Sequence, residues 1–455
     1  MARPAAAPHT PTAVQGHPGA AAMSTTAPPA VRTVSTTRIA VASFVGTAIE
    51  FYDFYIYGTA AALVLGKLFF PTFSALAGTL AAFATFGVGF VARPIGAVIF
   101  GHFGDRTGRK TMLVTSLLVM GTGTVAIGLL PTYRDVGIAA PLLLVLCRFL
   151  QGVGLGGEWG GAVLLATEYA PRDKRGLWSS FPQMGPAIGF IAAGGSFLLL
   201  GRVMDDAAFE SWGWRIPFLA SAALVVVGFY IRMRIAETPV FRKALEQHER
   251  AKAPIVEVVR RQGTTLALAT CAFILAHTLF YTITTFALSY GTTVLDLDKD
   301  MLLLCAMAAA LVLGVATPLL AVLSDRVGRR NVCLSAGVLA AVWAYPMFAL
   351  INTGEPLLIG LAMAVGMLAF AALYGPMGAF LPEMFATRYR YTGASVAYNA
   401  SGIVGGGVTP LLATQLVAST GSSVPVSGYI VVVALVSALC VWFLKETHTS
   451  DLETT

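Results

Sequence analysis

Apolar residues in this chain come in long unbroken blocks rather than in alternating or half-polar faces. Twelve blocks stand out, near residues 39–66, 75–100, 111–130, 139–167, 177–200 and 214–234, then 264–291, 301–323, 332–352, 356–380, 392–416 and 427–444. The blocks run to roughly 20 residues or more, long enough to span ~30 Å of hydrocarbon as a helix. The pattern predicts an all-α membrane protein of twelve transmembrane helices. The longest internal polar stretch, 236–263, carries Glu237, Arg242, Lys243, Glu246, Glu249, Arg250 and Lys252. Read as a cytoplasmic central loop, it separates an N-terminal bundle of six helices (37–235) from a C-terminal one (264–446). The Ala-, Pro- and Thr-rich segment 1–36 reads as a disordered tail, and 447–455 as a short C-terminal tail.

Composition agrees with the blocks. Hydrophobic residues make up 56% of the chain and charged ones 12%, where a soluble surface needs about a quarter. The net charge of +7 raises nucleic-acid binding, but the places of the basic residues explain it better. With the N-terminus on the cytoplasmic side, 23 of the 30 basic residues fall in cytoplasmic segments and five in external ones. That bias predicts both termini inside a cell membrane. The five cysteines stand singly in or beside apolar blocks, without metal-ligand spacing, and read as packing residues. No metal, cofactor or ATP motif is expected, and the chain does not read as an enzyme.

The halves repeat one another. Loop 2–3 reads Gly104-Asp105-Arg106-Thr107-Gly108-Arg109-Lys110, and 220 residues later loop 8–9 reads Ser324-Asp325-Arg326-Val327-Gly328-Arg329-Arg330. Glu168 and Arg175 after the fourth helix are echoed by Glu383 and Arg390 after the tenth. Alternating acid and base in a glycine-containing turn can cap neighbouring helix ends, where the macrodipole favours Asp105 and Asp325, and can bridge helices as a gate. A static topogenic cluster is the plainer alternative.

The D-R-x-G-R-K loop resembles the loop 2–3 signature of the major facilitator superfamily, and Arg148-Phe149-Leu150-Gln151-Gly152 is similar to its fourth-helix RxxQG motif. Glu50-Phe51-Tyr52-Asp53-Phe54-Tyr55, Ala92-Arg93-Pro94-Ile95-Gly96, Gly156-Gly157-Glu158-Trp159-Gly160-Gly161, Arg215-Ile216-Pro217-Phe218 and Glu237-Thr238-Pro239 resemble its metabolite:proton symporter family. That family includes carriers of shikimate, α-ketoglutarate, citrate, and proline and betaine. The resemblance implies the major facilitator fold, two pseudo-symmetric six-helix bundles that rock about a central site.

Charges inside the blocks carry the chemistry, since each is expensive unless paired or wetted. Glu50 and Asp53 share one face of helix 1. Arg93 lies in helix 2, Arg148 in helix 4, and Glu158 ten residues further on, about 15 Å along the helix. Asp53 is the expected proton carrier with Arg148 as counter-ion, the role that related porters give this helix 1–helix 4 pair. Glu50 is the rival carrier, and a permanent salt bridge is the alternative. Arg93, with its planar fork, is the expected anchor for an anionic group, unless it snorkels or fastens helix 2 to helix 11. Gln151, Glu158, Gln183, Tyr281, Tyr374 and Asn399 are further candidates for the substrate site. His277 reads as a proton relay or a hydrogen-bonded packing residue.

The expected function is proton-coupled uptake of a small organic acid or zwitterion by a monomeric unit. Gly185-Pro186-x-x-Gly189 partly resembles the superfamily's antiporter motif, with Phe181 in place of its first glycine, and keeps proton-driven efflux as the alternative.

Overall fold

The computed structural model describes residues 36–107, 109–233 and 254–449, together with Ala2. Nearly all of the tail expected at 1–36, most of the joint at 236–263 and the end of the C-terminal tail lie outside them. Among the described residues, twelve helices are long and apolar enough to cross a membrane: α1 Ile39–Phe69, α2 Ala75–Gly104, α3 Thr111–Leu129, α4 Ala139–Glu168, α5 Arg172–Val203, α6 Gly213–Met233, α7 Pro254–Thr293, α8 Lys299–Val327, α9 Arg329–Ile351, α10 Pro356–Glu383, α11 Thr387–Thr420 and α12 Val424–Phe443. There is no strand among the described residues. This is the expected all-α architecture.

The helices pair in a pattern that repeats six helices on. In the first half α1 packs on α5, α2 on α4, and α3 on α4 and α6. In the second half α7 packs on α11, α8 on α10, and α9 on α10 and α12. Across the halves α5 meets α8 and α2 meets α11, again a symmetric pair. Leucines and valines at helical spacing, such as Leu142, Leu146 and Leu150 on α4 or Val432, Leu435 and Leu439 on α12, point outward and stay exposed, as lipid-facing residues do.

Glycine sets the closest seam. Gly152 and Gly156 of α4 lie against the carbonyls of Gly89 and Arg93 on α2, with no room for a Cβ. The Gly-rich run is therefore a backbone contact, and it holds α2, which bears Arg93, against α4, which bears Arg148 and Glu158. Gly185 and Gly189 of α5 similarly abut Thr47 and Tyr52 of α1.

The boundary that differs most from the sequence reading is at the joint. The joint ends in helix, because α7 begins at Pro254, ten residues before the expected start. Its backbone breaks at Gln262 (φ −132°, ψ 30°), whose side chain donates to the Met384 carbonyl (2.9 Å) and accepts from Ala386 N (3.2 Å). Val258 of this opening turn is fully buried, so apolar spacing continues past the polar residues Arg260, Arg261 and Gln262.

Candidate functional site

Among the described residues, three groups of buried polar side chains centre on charges of the first half. The first centres on Arg93, which is 1% exposed. Its guanidinium lies over the rings of Phe54 (4.1 Å) and Phe90 (4.3 Å) and within hydrogen-bonding reach of Tyr281. Nε and Nη2 have no hydrogen-bond partner. At that burial it does not snorkel, and it forms no ion pair among the described residues. Beside it lies a small central cavity of about 10 Å³, lined by Phe51, Tyr55, His277, Phe280, Tyr281, Tyr374 and Tyr398, room for about one water. Two more orphaned polar atoms belong to this wall, His277 Nε2 and the Tyr374 hydroxyl. His277 Nδ1 meets the Phe273 carbonyl and Ser401 Oγ, each at 3.3 Å.

The second group holds Asp53 and Arg148, both fully buried. They are not ion-paired, contrary to the sequence expectation, because Gln151 stands between them. Arg148 Nη1 donates to Gln151 Oε1. Gln151 Nε2 in turn donates to the Asp53 carbonyl oxygen (3.0 Å) and to Thr124 Oγ1 (2.7 Å). Arg148 Nη2 reaches the Phe86 carbonyl (3.3 Å), and its guanidinium stacks on Tyr57 at 3.9 Å. Asp53 Oδ1 accepts from Ser221 Oγ at 2.6 Å, while Oδ2 has no partner. Arginine and glutamine three apart on α4 thus meet on one face, which gives the RxxQ spacing its local purpose.

The third group was not foreseen. Glu158, expected at the substrate wall, is engaged bidentately by Arg232 in the last turn of α6: Nη1 donates to Oε2 at 2.8 Å and Nη2 to Oε1. Ser116 Oγ also donates to Oε2 (3.0 Å), and Arg232 Nη1 to the Leu113 carbonyl (2.6 Å). Arg232 is 4% exposed, so one of the 23 residues assigned to cytoplasmic segments is instead a buried partner. Removing either side of such a pair costs about 3–5 kcal/mol, since it strands a buried charge. The sequence signal was Glu158 itself, an acid in an apolar helix that needed a base.

Gln183 and Asn399, also expected on the wall, are committed to cross-half contacts. Gln183 accepts from Trp159 Nε1 (2.7 Å) and donates to the Tyr374 carbonyl (2.8 Å). Asn399 donates to the carbonyls of Gly156 (3.0 Å) and Ser395 (2.8 Å). Tyr398 stacks on Trp159 at 4.0 Å. The halves are thus pressed together at the centre.

At the basic end the second copy of the loop motif bridges the halves. Asp325 Oδ1 accepts from Gly176 N (2.9 Å) and Oδ2 from Leu177 N (3.0 Å) at the start of α5. Arg329 pairs with Asp325 (2.6 Å) and with Glu383 (3.2 Å), and Thr447 Oγ1 donates to Glu383 Oε2 (2.6 Å). Gly328, at φ +101°, begins the turn into α9, where a Cβ would lie 2.6 Å from Glu446 Oε2. The Glu446 carboxylate accepts from the backbone N–H of Arg329 (2.9 Å), Arg330 (3.0 Å), Thr447 (2.9 Å) and His448 (3.1 Å). Partial burial pushes its carboxyl up, but these four donors outweigh that and hold it below the usual range. Arg326 is exposed. In the first copy, Gly104 is buried beside Met112 and Tyr391. Gly108 and the side chains of Asp105, Arg106 and Arg109 lie outside the described residues. Glu168 and Arg175 sit at the end of α4 and near the start of α5, and Arg390 is buried and donates to the Phe385 carbonyl (3.1 Å). No group of His, Cys, Asp and Glu suited to a metal ion occurs among the described residues.

The family described as sugar (and other) transporter matches residues 39–270 and 242–455. The chain is 44% identical over 423 residues to an inner membrane metabolite transport protein, YhjE, of Escherichia coli (strain K12), covering 92% of this chain and 96% of that protein. It is 38% identical to a shikimate transporter (90% and 95% covered) and 36% identical to a proline/betaine transporter (90% and 84% covered) of the same organism. Its fold is similar to the major facilitator superfamily proton:xylose symporter XylE bound to 6-bromo-6-deoxy-D-glucose, with TM-score 0.72 at 18% identity over 92% of this chain and 98% of that one. The chain therefore belongs to the sugar (and other) transporter family of the major facilitator superfamily, and is a multi-pass membrane transporter, not an enzyme.

Proposed function

We propose that the protein takes up a small organic acid or zwitterion together with protons across the inner membrane, with both termini cytoplasmic. One observation carries the reading: Arg93 is a buried guanidinium in the middle of the bundle, beside the central cavity, with two nitrogens unpartnered and no carboxylate paired to it. A buried charge is costly without a counter-ion, and an arriving carboxylate would supply one in bidentate geometry. His277 Nε2 and the Tyr374 hydroxyl would meet the substrate's polar groups from the other half, among aromatic faces. The relatives that carry shikimate or proline and betaine have acidic or zwitterionic substrates of this kind.

The central cavity is too small for such a solute, so loading requires the halves to part. With Asp325 tied to α5, parting is easier at the opposite end, where a cavity of about 370 Å³ lies among α2, α7 and α11. Asp53 serves as proton carrier in this reading. Its Oδ2 has no hydrogen-bond partner, and no cation is paired with its carboxyl among the described residues. Loss of that proton would draw Arg148 from Gln151 to Asp53, coupling the proton to helix movement.

The test is uptake into liposomes of purified protein, with an imposed inward proton gradient and labelled shikimate, proline, glycine betaine and a set of organic acids. Accumulation that collapses with a protonophore supports symport. Accumulation driven only by the opposite gradient would make the protein an exporter. Arg93→Lys and Arg93→Ala should abolish uptake of the accepted solute while leaving membrane insertion intact.

A further inference from the structure

Beside the cavity, α1, α4 and α6 bring two buried carboxyls, Glu50 and Glu158, and the Arg232 guanidinium into one cluster. Arg232 spends its fork on Glu158. Gly46, one turn before Glu50 on α1, makes space for that fork, since a Cβ there would lie 3.1 Å from Arg232 Nη2. Glu50 is 1% exposed, and its Oε2 has no partner. The Glu50 and Glu158 carboxyls are within hydrogen-bonding reach of each other, and two carboxyls form such a bond only with a proton between them. The charged groups facing Glu50 are Glu158 on α4, Arg232 on α6, Arg93 on α2 and Asp53 on its own helix. The phenols of Tyr374 on α10 and Tyr398 on α11 face it too.

We propose that Glu50 and Glu158 share one proton over Arg232, and that Glu50, once it releases that proton, competes with the transported anion for Arg93. The second clause rests on the reading of Arg93 given above; the first does not. With both carboxyls ionised, Arg232 neutralises one and leaves one negative charge buried. The Glu50 carboxyl gives its proton to water, and the resulting carboxylate finds Arg232 already filled by Glu158. The remaining cation facing it is Arg93. An ionised Glu50 and a bound anion cannot both be compensated by one guanidinium, so anion binding favours a protonated Glu50, and the proton favours the anion by the same factor. The linkage operates at binding, whereas Asp53 acts on the rearrangement of α4, so the two carboxylates have separable roles.

Two measurements on the purified full-length chain test it. Infrared difference spectra between acid and alkaline pH, without substrate, should contain the carbonyl stretch of a protonated carboxyl that disappears in Glu50→Gln and persists in Asp53→Asn. If Glu50→Gln leaves every such band in place, no proton is shared and the proposal fails. Glu158→Gln should shift the Glu50 band; should that variant not fold, the double variant Glu158→Leu/Arg232→Met removes the clamp without stranding a charge and should shift it likewise. An unmoved band would refute the sharing. Equilibrium binding of shikimate should weaken by about tenfold per pH unit on the alkaline side, as one linked proton requires, and Glu50→Gln should hold the acid-side affinity throughout. An unchanged slope in Glu50→Gln overturns the competition. If neither shikimate nor glycine betaine binds at any pH, the Arg93 reading fails for those solutes and the infrared result alone decides the shared proton.

Discussion

Arg148 and Asp53 are connected through Gln151, which takes a hydrogen bond from the arginine and gives one to the aspartate's backbone carbonyl. The glutamine thus holds the guanidinium over Tyr57 and away from the Asp53 carboxyl. Gln151→Leu removes both bonds and leaves a buried cation with fewer acceptors; a hydrogen bond to a charged group is worth about 1.5–3 kcal/mol. The variant should melt earlier in detergent by several degrees. Gln151→Glu should keep its fold but pin Arg148 with a fixed charge, cutting the maximal transport rate at least about tenfold, or ~1.4 kcal/mol of barrier. Wild-type turnover in Gln151→Glu would show that Arg148 does not need to move.

Asp53→Asn keeps the hydrogen bond from Ser221 and nearly the same shape, so it should fold and insert normally. It should lose accumulation against a gradient while retaining exchange of labelled for unlabelled solute across the membrane. Counterflow and gradient-driven uptake, measured on the same liposomes, separate the two. Intact accumulation would transfer the carrier role away from Asp53.

The spans were legible because hydropathy is additive along the chain: the first four helices begin where the apolar blocks do, at 39, 75, 111 and 139. Arg93 was legible as an intramembrane charge for a related reason, since a cation in an apolar block announces itself without knowledge of its neighbours. Pairing was not. Arg232 follows an apolar run in the string Ile231-Arg232-Met233-Arg234, the usual pattern of a cytoplasmic helix end, and only the approach of α4 to α6 makes it Glu158's partner. Gln183 and Asn399 read as polar wall residues because the sequence does not say which carbonyls of the other half will face them. The hydroxyl of Ser221, which completes the Asp53 site, is one serine among many and left no signal.

Asp325 links α8 to α5 by two charge-assisted hydrogen bonds across the halves. Asp325→Ala should therefore weaken the closed basic end by a few kcal/mol, at about 1.5–3 kcal/mol per bond to a charged group, and release Arg329 to pair with Glu383 alone. Cysteines introduced at the basic end of α5 should react with a membrane-impermeant maleimide faster in this variant, when it is presented from the side that the basic end faces. Equal rates would mean the contact is not a gate.

Glu446 makes a different kind of prediction, because it lies beyond the last helix and reports on stability through pH. Its carboxylate caps the first turn of α9 through the N–H groups of Arg329 and Arg330, a position that the helix dipole also favours. The folded carboxyl is held below its ordinary range, so the unfolded chain takes up a proton there first as pH falls. The stabilisation is accordingly present in full above the ordinary glutamate range and is lost as pH drops through the depressed folded value. Glu446→Gln keeps an oxygen acceptor but no charge, and should lower stability at neutral pH by about 1 kcal/mol, within the range for an N-terminal cap. Thermal melts of the two proteins across pH 3 to 7 (roughly the span of carboxylate titration) should converge at the acidic end. Parallel curves, with the same offset at every pH, would show that the contact is steric and that the charge of Glu446 contributes nothing to holding α9 in place.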